Sequence, residues 1–466
     1  MSEPRRPQRR SRVPTGRLER LVRIGWLTGE IALGGAAEGL RRIGGGAPSP
    51  SSVFLTGAAG RRLASRLSTM RGAAMKLGQL LSLEADDLLP PEVTEALSVL
   101  RAEGDAMPRS QLRRVLGRNW GKGWEQRFAS FDFEPIAAAS IGQVHAAVTR
   151  DGRELALKIQ YPGVASSIDS DVDNLAALLR LARVLPGDVD FSLVLAEAKH
   201  QLRREADYQT EAEQLRRYRA LLSDDPEFVV PRVHDDFTTS RILAMDRLRG
   251  VPLEDACGSD HTDARRDALC ALLLRLVLRE LFEFGFMQSD PNFANYLLLP
   301  DGRVALLDLG AGYEIPPALS SGYARLFRAA ADQNRGELKR VAQEIGFIAA
   351  SDTPAQAEAI VDLMLLATEP LQHRGVYDFG ASKLPARARD AGTSLVFKQG
   401  VWRPPPAATL LLQRKLGGTF LVCVRLRGRV DARALLEEAL ARRASDEARA
   451  AAPARASDGD RAEAPF

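Results

Sequence analysis

Cysteine is almost missing from this chain: Cys257, Cys270 and Cys423 are the only three in 466 residues, and no C-x-x-C pair occurs. That excludes a disulfide framework, and with five scattered histidines there is no zinc-ligand spacing either. A long uninterrupted apolar run is also lacking. The best segment, IGWLTGEIALGGAAEGL at 24–40, is broken by Glu30 and Glu38 and weakened by five glycines, so it is not expected to span a bilayer. Aromatic residues make up only 6% of the chain, and none interleaves with its basic start, which argues against nucleic acid as a partner. Lysine is scarce too, at eight residues against 56 arginines.

What remains is globular in character: 45% hydrophobic and 27% charged, over a length sufficient for two lobes with separate cores. The formal net charge of +4 is uneven, because residues 1–20 hold seven Arg against two Glu. Such an arm is attracted to anionic lipid headgroups, and it is equally the composition of a solvated chain end. The Arg-rich start is like a transit peptide in charge, but Glu3, Glu19 and Glu30 argue against one. The expectation is a cytoplasmic protein without signal peptide or membrane span, free to touch a membrane surface peripherally.

Punctuation along the chain divides it five ways. Residues 1–51 read as a disordered basic arm ending in the linker RRIGGGAPSPSS. Residues 52–118 read as a helical extension, because Leu63, Leu67, Met70, Ala74, Leu77 and Leu81 recur at helical spacing. Residues 119–250 are strand-rich: IGQVHAAVT and ELALKIQ flank a DG turn, and FVVPRVHDDF and RILAMDRLRG read as further strands. Between them, 166–222 reads as helical in two parts divided by VLPGDVD. Residues 251–445 are mostly helical, and 446–466 read as a disordered tail.

The chemistry concentrates in FMQSDPNFANYLLLPDGRVALLDLGAGYE, 286–314, where Asp290 and Asn295 precede a DG turn and Asp308 follows it. This order resembles the catalytic hairpin of protein kinase-like enzymes. Asn295 and Asp308 then supply hard oxygen ligands to Mg2+, and Asp290 orients or deprotonates an acceptor. Helix caps and turns use the same residue types, so the hairpin needs support from the rest of the chain. Lys158, in LALKIQ, matches the strand lysine that grips phosphate. It needs a carboxylate partner. Glu205 sits beside the apolar face of FSLVLAEAKHQLRREADYQTEAEQL, where a charge is costly unless paired, so it is the first choice and Glu211 the second. Where kinases carry a Gly-rich loop, this chain has Ala137, Ala138, Ala139 and Ser140, which predicts a stiffer nucleotide loop.

In order, MKLGQLLS, AAASIGQVH, LALKIQYPGV, EADYQTEA, MQSDPNFANYL and LLDLGA resemble the UbiB/aarF-domain (ADCK) atypical kinase family, and MQSDPNFANY is most similar to its mitochondrial coenzyme Q-type branch. The resemblance covers roughly 52–443. It implies an α+β, two-lobe, atypical protein kinase-like fold with an N-terminal helical extension, binding ATP or ADP with Mg2+ and supporting ubiquinone (coenzyme Q) biosynthesis. Partners would be adenine nucleotide, an anionic membrane surface, and ubiquinone-biosynthesis proteins or lipid precursors. Lys76 and Gln79 match the family's K-x-G-Q motif, and Glu205 with Asp207 its E-x-D motif. Lys76 and Gln79 share a helix face at i, i+3, and Gly72 and Gly78 suit a close approach, so the resemblance places this pair across the nucleotide site. Two departures stand out: QSD replaces His-Arg-Asp, and DLG replaces DFG. Two other readings stay open: a conventional protein kinase, which the missing A-P-E disfavours, and a nucleotide-binding pseudokinase scaffold.

Overall fold

The structure is a computed structural model and describes residues 106–139, 141–181, 192–258, 261–290, 292–401 and 406–451. The basic arm, Lys76, Gln79 and Ser140 lie outside the described residues. The chain falls into two compact units, one running to Gly250 and including Leu299–Ala311, the other comprising Val251–Leu298 and the chain from Gly312 onward.

Among the described residues of the first unit, helix α1 (Arg109–Trp120) comes first, followed by an antiparallel sheet of β1 (Phe128–Ala139), β2 (Gly142–Thr149), β3 (Glu154–Gln160) and β4 (Ile242–Asp246), in that spatial order. The expected hairpin is β2 and β3: Gly152 takes the positive φ of 86° that closes the turn after Asp151. In β3 every residue after Glu154 is buried, as befits a central strand, and Lys158 sits opposite Val144 on one side and Leu243 on the other. Two short strands, Phe228–Val229 and Val304–Leu306, pair in parallel elsewhere in the unit.

Two expectations are corrected here. Ala137, Ala138 and Ala139 are not a loop but the end of β1, opposite Val144, Gln143 and Gly142. Each alanine Cβ favours β over positive φ, so the strand continues to Ala139. The 166–222 region forms three helices rather than two: α2 (Val164–Leu181), α3 (Ser192–Glu205) and α4 (Tyr208–Leu221). Asp207 makes the extra break as N-cap of α4, one carboxylate oxygen accepting from Gln209 N at 3.1 Å and the other from the Thr210 hydroxyl at 2.9 Å.

The second unit is mainly helical. Helix α5 (Asp263–Arg279), capped by the Thr262 side chain, runs into a π turn at Glu280–Phe284 that Gly285 ends at φ 59°. Strand β5 (Phe286–Gln288) follows and pairs antiparallel with β6 (Gly312–Glu314). Then come α6 (Pro317–Ala331), α7 (Arg335–Glu344), α8 (Pro354–Ala367), α9 (Leu384–Phe397), α10 (Ala407–Leu426) and α11 (Ala432–Ala451). Leu281, Met287, Tyr323, Leu338, Val361, Leu412 and Leu436 are among the core residues these elements share. Helix α11 continues past residue 445 into the stretch expected as tail. Among the described residues no helix is long and apolar enough to cross a membrane.

Candidate functional site

In the first unit the site is assembled around Lys158. Its Nζ donates to both Glu211 oxygens, at 2.7 and 2.9 Å, and to Asp308 Oδ2 at 3.0 Å. The ion-pair partner is therefore Glu211, the second choice from the sequence, and not Glu205. The break at Asp207 is the reason: Glu205 ends α3, whereas Glu211 lies in the first turn of α4, whose buried residues also include Tyr208 and Leu215. Glu205 is still buried, and its charge is felt by Glu211 and Tyr208.

Two carboxylates share one ammonium, and the electrostatics follow from that. Burial pushes the Glu211 carboxyl up to about 8, against the pull of Lys158 and with the help of the Asp308 charge. Burial also opposes the charge on Lys158, but Asp308 and Glu211 together more than offset it and hold the ammonium well above its usual pKa. The two shifts describe one arrangement: Lys158 stays charged, and burial makes the Glu211 carboxylate take up a proton far more readily than an exposed one. Asp308 differs from Glu211 in exposure, its side chain being 41% exposed against 1%. Its Oδ1 accepts from Gly310 N at 3.1 Å, which fixes the D-x-G turn.

The floor of this site is packed tightly. The Tyr208 ring centre lies 5.3 Å from Lys158 Nζ, and its hydroxyl is buried with no hydrogen-bond partner among the described residues. A Cβ added at Gly142 would lie 2.4 Å from the Ile159 carbonyl oxygen and 2.9 Å from the Tyr208 hydroxyl, so only glycine lets the start of β2 come this close.

The second unit holds the other two sequence-identified groups. Asn292 caps a short 3-10 turn, Phe293–Asn295, and Asn295 Nδ2 donates to the Asp290 carbonyl at 3.0 Å. With its donor end engaged, the Asn295 amide presents its oxygen as the acceptor end. Sequence reasoning missed Arg414: from α10 its Nη2 lies 3.3 Å from Asp290 Oδ1, with both side chains largely buried. The two residues are 124 positions apart, and nothing local marks this arginine among so many. Among the described residues no group of three or more His, Cys, Asp or Glu side chains could hold a metal ion.

Comparison with known proteins follows this geometry. The ABC1 atypical kinase-like domain family matches residues 99–342. The chain is 41% identical to the rat (Rattus norvegicus) protein named "Atypical kinase COQ8B, mitochondrial", over 92% of this chain and 81% of that protein. It is 35% identical to "Atypical kinase COQ8, mitochondrial" of Saccharomyces cerevisiae, over 92% of this chain and 86% of that one. Among solved structures, the Rv3197–erythromycin complex from Mycobacterium tuberculosis superposes with a TM-score of 0.57 at 29% identity, covering 82% of this chain and 95% of that chain. The relatives' names say mitochondrial, which does not match the cytoplasmic address expected from the sequence.

Proposed function

The chain belongs to the ABC1 (UbiB) atypical kinase-like family, and from that premise we propose that it binds Mg2+ with ATP or ADP and acts as an ATP-dependent phosphotransferase or ATPase in support of ubiquinone biosynthesis. The observation that carries the reading is the buried Lys158–Glu211 pair with Asp308 at 3.0 Å. The residues fit the nucleotide. A buried ammonium held by a deep carboxylate is ready for phosphate oxygens, and half-exposed Asp308 is the partner that phosphate would displace. Asp308 and Asn295 would offer hard oxygen donors to Mg2+. When bound, Mg2+–ATP would supply the transferable phosphoryl group and its charge neutralisation. The remaining roles fall to the protein: Lys158 and Tyr208 line the phosphate side, Glu211 holds Lys158, and Asp290, oriented by Arg414, directs the acceptor. Lys76 and Gln79, which lie outside the described residues, would approach the nucleotide from the extension and limit which acceptors reach it. Glu205 is retained as a member of the E-x-D motif. A peripheral place on an anionic membrane, reached through the basic arm, suits a lipid-precursor acceptor.

The test combines calorimetry with turnover on the full chain. Wild type should bind adenine nucleotide in a Mg2+-dependent manner, and Asp308→Asn should lose most of that dependence. Turnover is measured with and without anionic liposomes and quinone-precursor-like phenols. Unchanged Mg2+ dependence in Asp308→Asn would remove Asp308 from the metal site, and absence of nucleotide binding by wild type would end the proposal.

A further inference from the structure

Close to Asp290 and Asn295 in the second unit lies an ion pair that the proposed chemistry leaves unused. Glu280, the first residue of the π turn, and Lys415, in α10, have side chains only 1% exposed, and Lys415 Nζ lies 3.0 Å from one Glu280 oxygen and 3.3 Å from the other. The same Glu280 Oε1 accepts the backbone N–H of Gln288 at 3.2 Å, two residues before Asp290. The Tyr296 hydroxyl, on the residue after Asn295, lies near enough to the Lys415 ammonium for the two to influence each other's charge. Both ends of the 288–296 segment thus return to one buried pair. Next to Lys415, Arg414 reaches Asp290 itself at 3.3 Å.

Stability alone is a weak reason for such a pair. A buried ion pair does little better than apolar side chains of the same volume, because desolvation offsets most of the attraction. Burial works against the charge on Lys415, and Glu280 and Tyr296 overcome it, so the ammonium persists. What charge and hydrogen bonds add over apolar packing is direction. Glu280 can hold the Gln288 N–H only from one side, and Lys415 fixes which side. The π turn that begins at Glu280 points the same way, since such turns are rare and recur at functional sites.

We propose that Glu280 and Lys415 are positioning residues for the phosphotransfer site, holding Gln288 on one side and Tyr296 on the other so that Asp290, two residues from Gln288, and Asn295, next to Tyr296, keep their places. The inference rests on the roles given to Asp290 and Asn295 above. Three full-length variants test it: Glu280→Gln, Lys415→Met and the double variant. Each single variant leaves one buried charge without its partner and should lower the melting temperature. The double variant leaves no charge there and should recover much of that loss. Turnover of Mg2+–ATP should nevertheless stay about 100-fold below wild type in the double variant, the scale of a small misplacement of reacting groups. Native-state hydrogen exchange supplies the readout a structural role would not move. Amides of 286–296 should exchange faster in the double variant while 317–331, in α6, keeps wild-type protection. Wild-type turnover in the double variant overturns the proposal, as does equal loss of protection in both segments or unchanged protection at 286–296. A wild type that binds nucleotide without turning it over would end the phosphotransfer reading alone, and the exchange comparison would still decide whether Glu280 and Lys415 hold the segment.

Discussion

Glu211→Gln keeps the shape of the Lys158 site and removes a titration from it. Burial places the Glu211 carboxyl at about 8, against an ordinary value of 4.5. Because the folded value is the higher one, the folded protein holds a proton between these two pH values that the unfolded chain lacks. Stability from this group is therefore complete below pH 4.5 and is lost as pH rises through 8. The slope is about 1.4 kcal/mol per pH unit, so from about pH 5.5 to about pH 7.5 the wild type should lose about 2–3 kcal/mol relative to Glu211→Gln. Urea unfolding at matched ionic strength measures both proteins across that range. Comparing the two cancels His145, which burial lowers and which adds its own pH dependence to each. A difference that stays flat over the range would refute the reasoning: Glu211 would be ionised throughout, and the Lys158 attraction would outweigh desolvation.

Two further outcomes are expected. Asp290→Asn should keep Mg2+-dependent nucleotide binding but lower turnover by about 100-fold, the scale of losing an acid–base or orienting group; equal turnover in variant and wild type would remove Asp290 from the mechanism. Tyr208→Phe should raise the stability of the nucleotide-free protein by about 1 kcal/mol, because it deletes a buried hydroxyl with no partner among the described residues; a loss of stability on chemical denaturation would show that a buried water or another group satisfies that hydroxyl.

Local patterns are legible in the sequence where the physics is local. The β2–β3 hairpin follows from alternating apolar residues around a DG turn, and Lys158 lies where LALKIQ puts it, in a buried central strand. Asp308 and Lys158 come together in space although 150 residues separate them, as the kinase-like order implied. The wrong partner for Lys158 came from reading α3 and α4 as one helix. Asp207 followed by Thr210 was the available signal for a new helix start, and it shifts which carboxylate faces the lysine. In the alanine run the absence of glycine itself favours a continuing strand over a loop. Arg414 and Lys415 were out of reach, because their partners lie 124 and 135 residues away and no periodicity encodes such contacts.

The scarcity of lysine acquires meaning in this structure. Among the described ion pairs three cations have side chains no more than 8% exposed, Arg414 beside Asp290 and the two lysines Lys158 and Lys415, although arginine outnumbers lysine seven to one in the chain. Arginine is ordinarily the better residue for a buried ion pair, since it is weakly hydrated and matches one carboxylate with a planar fork. Neither lysine site offers that geometry. Lys158 takes oxygens from Glu211 on α4 and from Asp308 near a separate strand, and Lys415 takes both Glu280 oxygens with the Tyr296 hydroxyl nearby. Oxygens arriving from different elements suit a compact ammonium with three rotatable donors better than a rigid fork. Exposed pairs such as Arg340–Glu337 and Arg335–Glu358 face no such constraint, and there arginine prevails. Lysine thus marks these two interior points where oxygens converge from different elements. That residue choice groups Lys415, which no sequence motif marks, with the lysine at the centre of the candidate nucleotide site.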